Sequence, residues 1–108
     1  MAKAIRFTYD GVDYELQFTK RTVREMEMKG FKFREVPDKP MTLLPELFKG
    51  AFLANHRKTK DETITAIYES MPNKADLMDA LFALYDEPIS ALMAEPSEEN
   101  PNVTWTLS

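Results

Sequence analysis

A chain of 108 residues has room for one hydrophobic core, and a composition 44% hydrophobic and 11% aromatic is that of a folded domain. The absence of cysteine excludes disulfide frameworks and thiolate metal sites, and it fits a reducing compartment. The net charge of −4 divides into +3 over residues 1–34 and −7 over the remainder, an overall acidity that disfavours a phosphate backbone as partner.

No apolar run approaches the ~20 residues needed to span a bilayer. The start, Met1-Ala2-Lys3-Ala4-Ile5-Arg6, turns polar too soon for a signal peptide. The expectation is a cytoplasmic protein with no membrane partner.

Ile5, Phe7 and Tyr9 alternate with Arg6 and Thr8, the period of a half-buried strand. Asp10-Gly11 follows, a pair suited to the positive φ angles of a type I′ turn. Val12, Tyr14, Leu16 and Phe18 then alternate with Asp13, Glu15 and Gln17, which completes a β-hairpin. A lone hairpin is marginal in water, so downstream helices must cover its apolar face.

Thr19 is the N-cap of a first helix that runs to about Lys29, with Gly30 as its left-handed stop. Its apolar stripe is narrow: Val23 and Met26, with Thr22 beside them. Phe31, Phe33 and Val36 alternate as a third short strand would, closed by Pro37-Asp38-Lys39-Pro40. Thr42 caps the most hydrophobic helix, with Pro45 in its first turn and Leu43, Leu44, Leu47, Phe48, Ala51, Phe52 and Ala54 over more than one face. Such a helix belongs at the centre, and Gly50 within it suits close approach of another backbone.

Thr59 and Glu62 have capping-box spacing for a third helix carrying Ile64, Ile67, Tyr68 and Met71, ended by Pro72-Asn73. A fourth spans about Lys74 to Tyr85, with Leu77, Met78, Leu81, Phe82 and Tyr85 inward. Asp86 caps a short fifth that carries Pro88, Ile89, Leu92 and Met93. The fold class is therefore α+β: an N-terminal hairpin followed by a bundle of four to five helices. Residues 1–94 form a single domain, and residues 95–108 form a flexible acidic C-terminal tail holding Trp105, the only tryptophan.

Chemistry is sparse. His56, the single histidine, stands among Asn55, Arg57 and Lys58 at the end of the long helix, where a basic group meets the helix dipole. The acid pairs Glu25/Glu27, Asp61/Glu62, Asp86/Glu87 and Glu98/Glu99 do not share helix faces, so they make no acid–base dyad or metal clamp. No two of the three glycines adjoin, and no serine stands in a nucleophile elbow. The expectation is a non-catalytic protein with no cofactor, no metal and no small-molecule substrate. Lys20, Arg21, Arg24 and Lys29 leave a nucleic-acid-binding regulator as an alternative, against a solvated face balanced by Glu25 and Glu27. Methionine suits adaptable partner surfaces, and seven are present. Partner contacts are placed on the central helix and its neighbours, at Leu44, Phe48, Phe52, Met78 and Met93, with burial in the core as the alternative for each.

Several segments together resemble a known family: Phe7-Thr8-Tyr9-Asp10-Gly11, Phe18-Thr19-Lys20-Arg21-Thr22-Val23 and Gly30-Phe31. Its middle signature is matched by Asp38-Lys39-Pro40-Met41-Thr42-Leu43-Leu44-Pro45 and by Phe48 through Arg57, and its end by Glu87-Pro88-Ile89-Ser90-Ala91-Leu92. The chain resembles the small tail assembly chaperones encoded in tail-gene modules of phages and prophages. The resemblance implies a protein of the host cytoplasm that binds the tape measure protein, keeps it soluble until the tail tube forms, and is absent from the virion. It implies no catalytic residues. Many copies along one rod would add avidity, the expectation of a homo-oligomer. A structural tail or head–tail connector protein is the alternative within the same setting.

Overall fold

The computed structural model describes residues 4–93 and 106–107. The expected C-terminal tail therefore lies largely outside the described residues. The fold is α+β: strands β1 (Ile5–Tyr9) and β2 (Val12–Leu16), then helices α1 (Lys20–Met28), α2 (Pro40–Gly50), α3 (Asp61–Ser70) and α4 (Lys74–Met93). No helix among the described residues is long and apolar enough to cross a membrane.

The hairpin forms in the register the alternation requires, Tyr9 opposite Val12 and Phe7 opposite Tyr14. Asp10 at φ 51° and Gly11 at φ 78° make the two-residue turn. Tyr14 and Leu16 are buried on the inner face, while Arg6 and Glu15 pair at 2.7 Å on the outer one.

Thr19 caps α1 through a capping box in which Thr22 takes the third helical position. Thr22 is 2% exposed, and its hydroxyl accepts from the Thr19 N–H at 2.9 Å and donates to the Thr19 carbonyl at 3.2 Å. A polar residue in the buried stripe is thus fully paired. At the other end the Phe31 N–H reaches the Met26 carbonyl and the Gly30 N–H reaches that of Glu27, both at 3.0 Å. This Schellman arrangement needs Gly30 at its observed φ of 96°.

Four local expectations are corrected. The segment after Gly30 is a 3₁₀ turn, Phe33–Glu35, and not a third strand; Val36 is buried in the core while the backbone bonds locally. The second helix starts at Pro40, not after Thr42, because a proline at the first position loses no bond and supplies the helical φ. It ends at Gly50, and residues 51–55 continue as turns. The third helix has no side-chain cap from Thr59; Asp61 and Glu62 supply anions to its first turn instead, and Asp61 meets Lys49 at 3.0 Å.

The fourth correction matters most for function. Asp86 does not begin a fifth helix; α4 runs unbroken through Pro88 to Met93, and the Asp86 carboxylate accepts from the Ser90 hydroxyl at 3.0 Å. An interior proline removes one intrahelical bond and strains the preceding turn. Leu84, Tyr85 and Pro88 are all buried, and α4 packs on α1 and α2, so tertiary contact carries the helix through a residue where local preference would stop it.

Helix α2 is central, touching α1, α3 and α4. Leu47, Phe48, Ala51 and Phe52 are at most 1% exposed and join Leu16, Ile67, Leu81 and Tyr85 in one core. Gly50 admits close approach, but by a side chain: a Cβ there would meet Sδ and Cε of Met26 from α1 and displace the end of that flexible side chain.

Candidate functional site

Two helices that each present an i, i+3, i+4, i+7 stripe enclose an open groove. One wall is Lys20, Val23, Arg24 and Glu27 of α1; the other is Tyr85, Pro88, Ile89 and Leu92 of α4. Phe31 and Phe33, held by the Schellman stop and the 3₁₀ turn, close one side. The groove has a volume of about 920 Å³, within the range of sites that take a sizeable ligand or a peptide side.

Its floor is aromatic. Tyr85 stacks on Phe33 with centroids 4.4 Å apart, and Phe18 and Phe31 stand at 5.1 and 5.6 Å. Tyr85 is 1% exposed, yet among the described residues its hydroxyl has no hydrogen-bond partner. Burial, with the nearby Glu27 carboxylate adding to it, pushes the phenol up to about 12, so it is a neutral donor throughout the physiological range. An unpaired buried hydroxyl costs about 1–3 kcal/mol. It is uncommon in a finished structure and marks a place where an acceptor is wanted.

Basic side chains surround this floor. Lys20, Arg24, Lys32 and Arg34 line the groove with Glu27 and Glu35. Glu35 is engaged by Lys32 at 3.6 Å and Lys39 at 3.4 Å. Among the described residues Lys20, Arg24 and Arg34 have no ion-pair partner within 4.0 Å. Where α4 ends, apolar groups face solvent: Ile89 is 37% exposed, Leu92 71% and Met93 80%. The arrangement can hold an apolar side chain, donate a hydrogen bond from the Tyr85 hydroxyl, and attract anions at its margin. Among the described residues no three His, Cys, Asp or Glu converge as metal ligands.

The five residues expected to touch a partner do not converge. Phe48 and Phe52 form an edge-to-face pair at 5.3 Å in the core and are 1% exposed, which removes both from the accessible surface. Leu44 and Met78 are half-buried, Met78 against the core. Only Met93 is freely exposed, next to Leu92 of the groove. Tyr85, Ile89, Leu92, Phe31 and Phe33 of the groove are not among these five. Their signal was the stripe from Tyr85 to Leu92, which a helix break at Asp86 cuts in two.

His56 also has a different setting from the one its position suggests. It lies beyond the end of α2, and its Nε2 accepts the Glu15 N–H at 2.9 Å. Asn55 Nδ2 donates to the Glu15 carbonyl at 3.1 Å and to Gln17 Oε1 at 3.2 Å, and the Gln17 N–H reaches the Ala51 carbonyl at 3.2 Å. Arg57 grips Glu25 of α1 with two bonds of 2.8 and 3.0 Å, which holds that carboxyl below its ordinary range. Glu25 also meets Arg21 at 3.3 Å. Residues 55–57 thus close the outer edge of β2 and tie it to α1, so the lone histidine is architectural.

The family model described as Domain of unknown function (DUF5055) matches residues 1–108. The chain belongs to this family. No curated protein and no solved structure matches it. The description of DUF5055 names no activity.

Proposed function

We propose that this protein is a non-catalytic tail assembly chaperone that binds the tape measure protein in the host cytoplasm and keeps it soluble while a phage tail is built. The observation that carries the reading is the groove between α1 and α4: an aromatic floor with an unpartnered hydroxyl, exposed Ile89 and Leu92, and a basic margin. A long amphipathic helix is recognised by laying its apolar stripe into such a trough, with charges of the helix meeting those on the rim. The resemblance of the Asp38–Pro45 and Phe48–Arg57 segments to tail assembly chaperones supplies the identity of the helix. Many copies bound along one rod would supply avidity and favour self-association of the chaperone.

Co-expression with the tape measure protein of the same gene cluster tests the reading. The tape measure protein is expected to be soluble and to co-purify with the wild-type chain, and to precipitate when Ile89→Asp and Leu92→Asp are combined. An insoluble tape measure protein beside a well-folded wild-type chain would sink the proposal. Mass spectrometry of purified virions is expected to find the protein missing; its presence would favour a structural tail or connector role.

A further inference from the structure

We infer that the outer edge of β1 pairs with β1 of a second copy of this chain, antiparallel about a two-fold axis at Phe7, joining two hairpins into one four-stranded sheet. This edge shares no residue with the groove between α1 and α4, so the pairing does not depend on what that groove binds.

The two edges of the hairpin are unlike. Across a two-residue turn Tyr9 and Val12 exchange both backbone bonds, and so does every second pair after them, Phe7 with Tyr14 and Ile5 with Leu16. Arg6 and Thr8 therefore direct N–H and C=O away from the hairpin on one side, and Glu15 does so on the other. On the β2 side these groups are taken. His56 Nε2 accepts the Glu15 N–H at 2.9 Å, Asn55 Nδ2 donates to the Glu15 carbonyl at 3.1 Å, and the Gln17 N–H reaches the Ala51 carbonyl at 3.2 Å. On the β1 side, among the described residues, nothing bonds the outward backbone groups of Arg6 and Thr8. Nor is this edge blunted: β1 has no proline and no bulge, and its one charge, Arg6, is neutralised by Glu15 at 2.7 Å.

An open edge of alternating donors and acceptors fits another strand, and the register says which one. Pairing β1 with its copy about Phe7 sets Arg6 opposite Thr8 of the second copy and Thr8 opposite its Arg6, so every outward group of both residues is bonded. A shift one way would set Arg6 against Arg6, a like-charge pair; a shift the other way would run Ile5 against the turn at Asp10-Gly11. In the register about Phe7 the polar face reads Glu15 and Arg6, then Thr8 and Asp13 of the second copy, with no like charges adjacent. The apolar face reads Tyr14 and Phe7, stacked at 5.3 Å, then Phe7 and Tyr14 of the second copy. Space is available as well. Tyr14 and Leu16 of β2 are buried, whereas Ile5, Phe7 and Tyr9 are only half-buried, so the core lies under β2 and β1 overhangs it. One strand from each copy is a small contact, and the dimer should form in proportion to concentration.

The chain has no cysteine, so introduced ones report the register under mild oxidation of the full chain. Phe7→Cys lies on the axis, where facing Cα atoms stand about 4.5 Å apart, within the span of a disulfide, and is expected to give a covalent dimer. Arg6→Cys and Thr8→Cys alone stand about 7–8 Å from their counterparts and should stay uncross-linked. The two combined face each other across the axis and should cross-link, with Phe7 and its packing left intact. Sedimentation equilibrium of the wild-type chain is expected to show a mass rising from 12.5 kDa to twice that value with concentration. Thr8→Pro deletes an outward N–H without removing a hairpin bond, and should remain a monomer with its helical circular dichroism retained. Wild-type protein that is monomeric at about 1 mM overturns the inference and leaves the edge to a strand of another protein. So does cross-linking by Arg6→Cys or Thr8→Cys alone in preference to Phe7→Cys, or a dimer unaffected by Thr8→Pro, which places the interface elsewhere. Should Thr8→Pro fail to fold, the cysteine series still decides. None of these readouts involves the tape measure protein, so failure of the co-expression test and failure here are separable.

Discussion

Two aromatic clusters share this small core, and they are finished differently. In one, Phe7 stacks on Tyr14 at 5.3 Å, and Tyr14 leads through Phe52 and Phe48 to Tyr68. The strand above it has its outer edge closed by Asn55 and His56, which take up both backbone groups of Glu15. In the other, Phe18, Phe31 and Phe33 surround Tyr85, whose hydroxyl is left over, and the adjoining helix end exposes Leu92 and Met93. The contrast separates a closed cluster from an open one. Side chains beyond α2 complete the first cluster, whereas among the described residues nothing pairs the Tyr85 hydroxyl of the second.

The largest effect that would test this division is on the closed side. Phe52→Ala removes a ring that is 1% exposed and contacts both Tyr14 and Phe48. Urea unfolding is expected to show a loss of about 3–5 kcal/mol. A loss below 1 kcal/mol would mean that this cluster is not the rigid half.

His56→Ala comes next. It leaves the part-buried Glu15 N–H without its acceptor, for an expected loss of about 1–3 kcal/mol. His56→Asn, which keeps an acceptor on a shorter side chain, should recover part of it. Equal loss in both variants would show that ring packing against Tyr14, at 5.0 Å, matters more than the bond.

Tyr85→Phe should have the smallest effect at neutral pH. It removes a hydroxyl that makes no bond among the described residues and keeps the ring, so stability is expected to be unchanged or raised by about 1 kcal/mol. The sharper sign comes at high pH. The Tyr85 phenol is raised from 10.0 to about 12 by burial, so above pH 10 the unfolded chain gives up this proton more readily than the folded one. Its contribution is fully present below pH 10 and is lost as pH rises through about 12. Wild-type protein should therefore lose stability relative to Tyr85→Phe across that window. Parallel pH profiles would show that the hydroxyl titrates as it does in the unfolded chain and so meets water, which would close the contrast between the clusters.

Much of the fold could be read locally because local chemistry decides it. The alternation from Ile5 to Phe18 and the positive-φ pair Asp10-Gly11 leave one reasonable hairpin register. Thr19 and Gly30 bound α1 at both ends, and its stripe of Thr22, Val23 and Met26 is the buried set. The length and apolar breadth of α2 placed it at the centre, where it touches three other helices.

What tertiary structure decided lies where local preferences and packing disagree. Phe31, Phe33 and Val36 have a strand's alternation, but no neighbouring strand offers a ladder, so the backbone satisfies itself in a 3₁₀ turn. Pro88 reads as the first turn of a new helix, yet burial of Leu84, Tyr85 and Pro88 keeps one axis from Lys74 to Met93. That continuity aligns Tyr85 with Ile89 and Leu92 and creates the groove wall. Phe48 and Phe52 show the converse: composition marks them as apolar, and only packing shows that α2 spends them on the core. Sequence alone determined the class of fold, because turns, caps and periodicity act over a few residues. The position of the groove required the tertiary structure, because a surface between two helices and a turn depends on how distant segments meet.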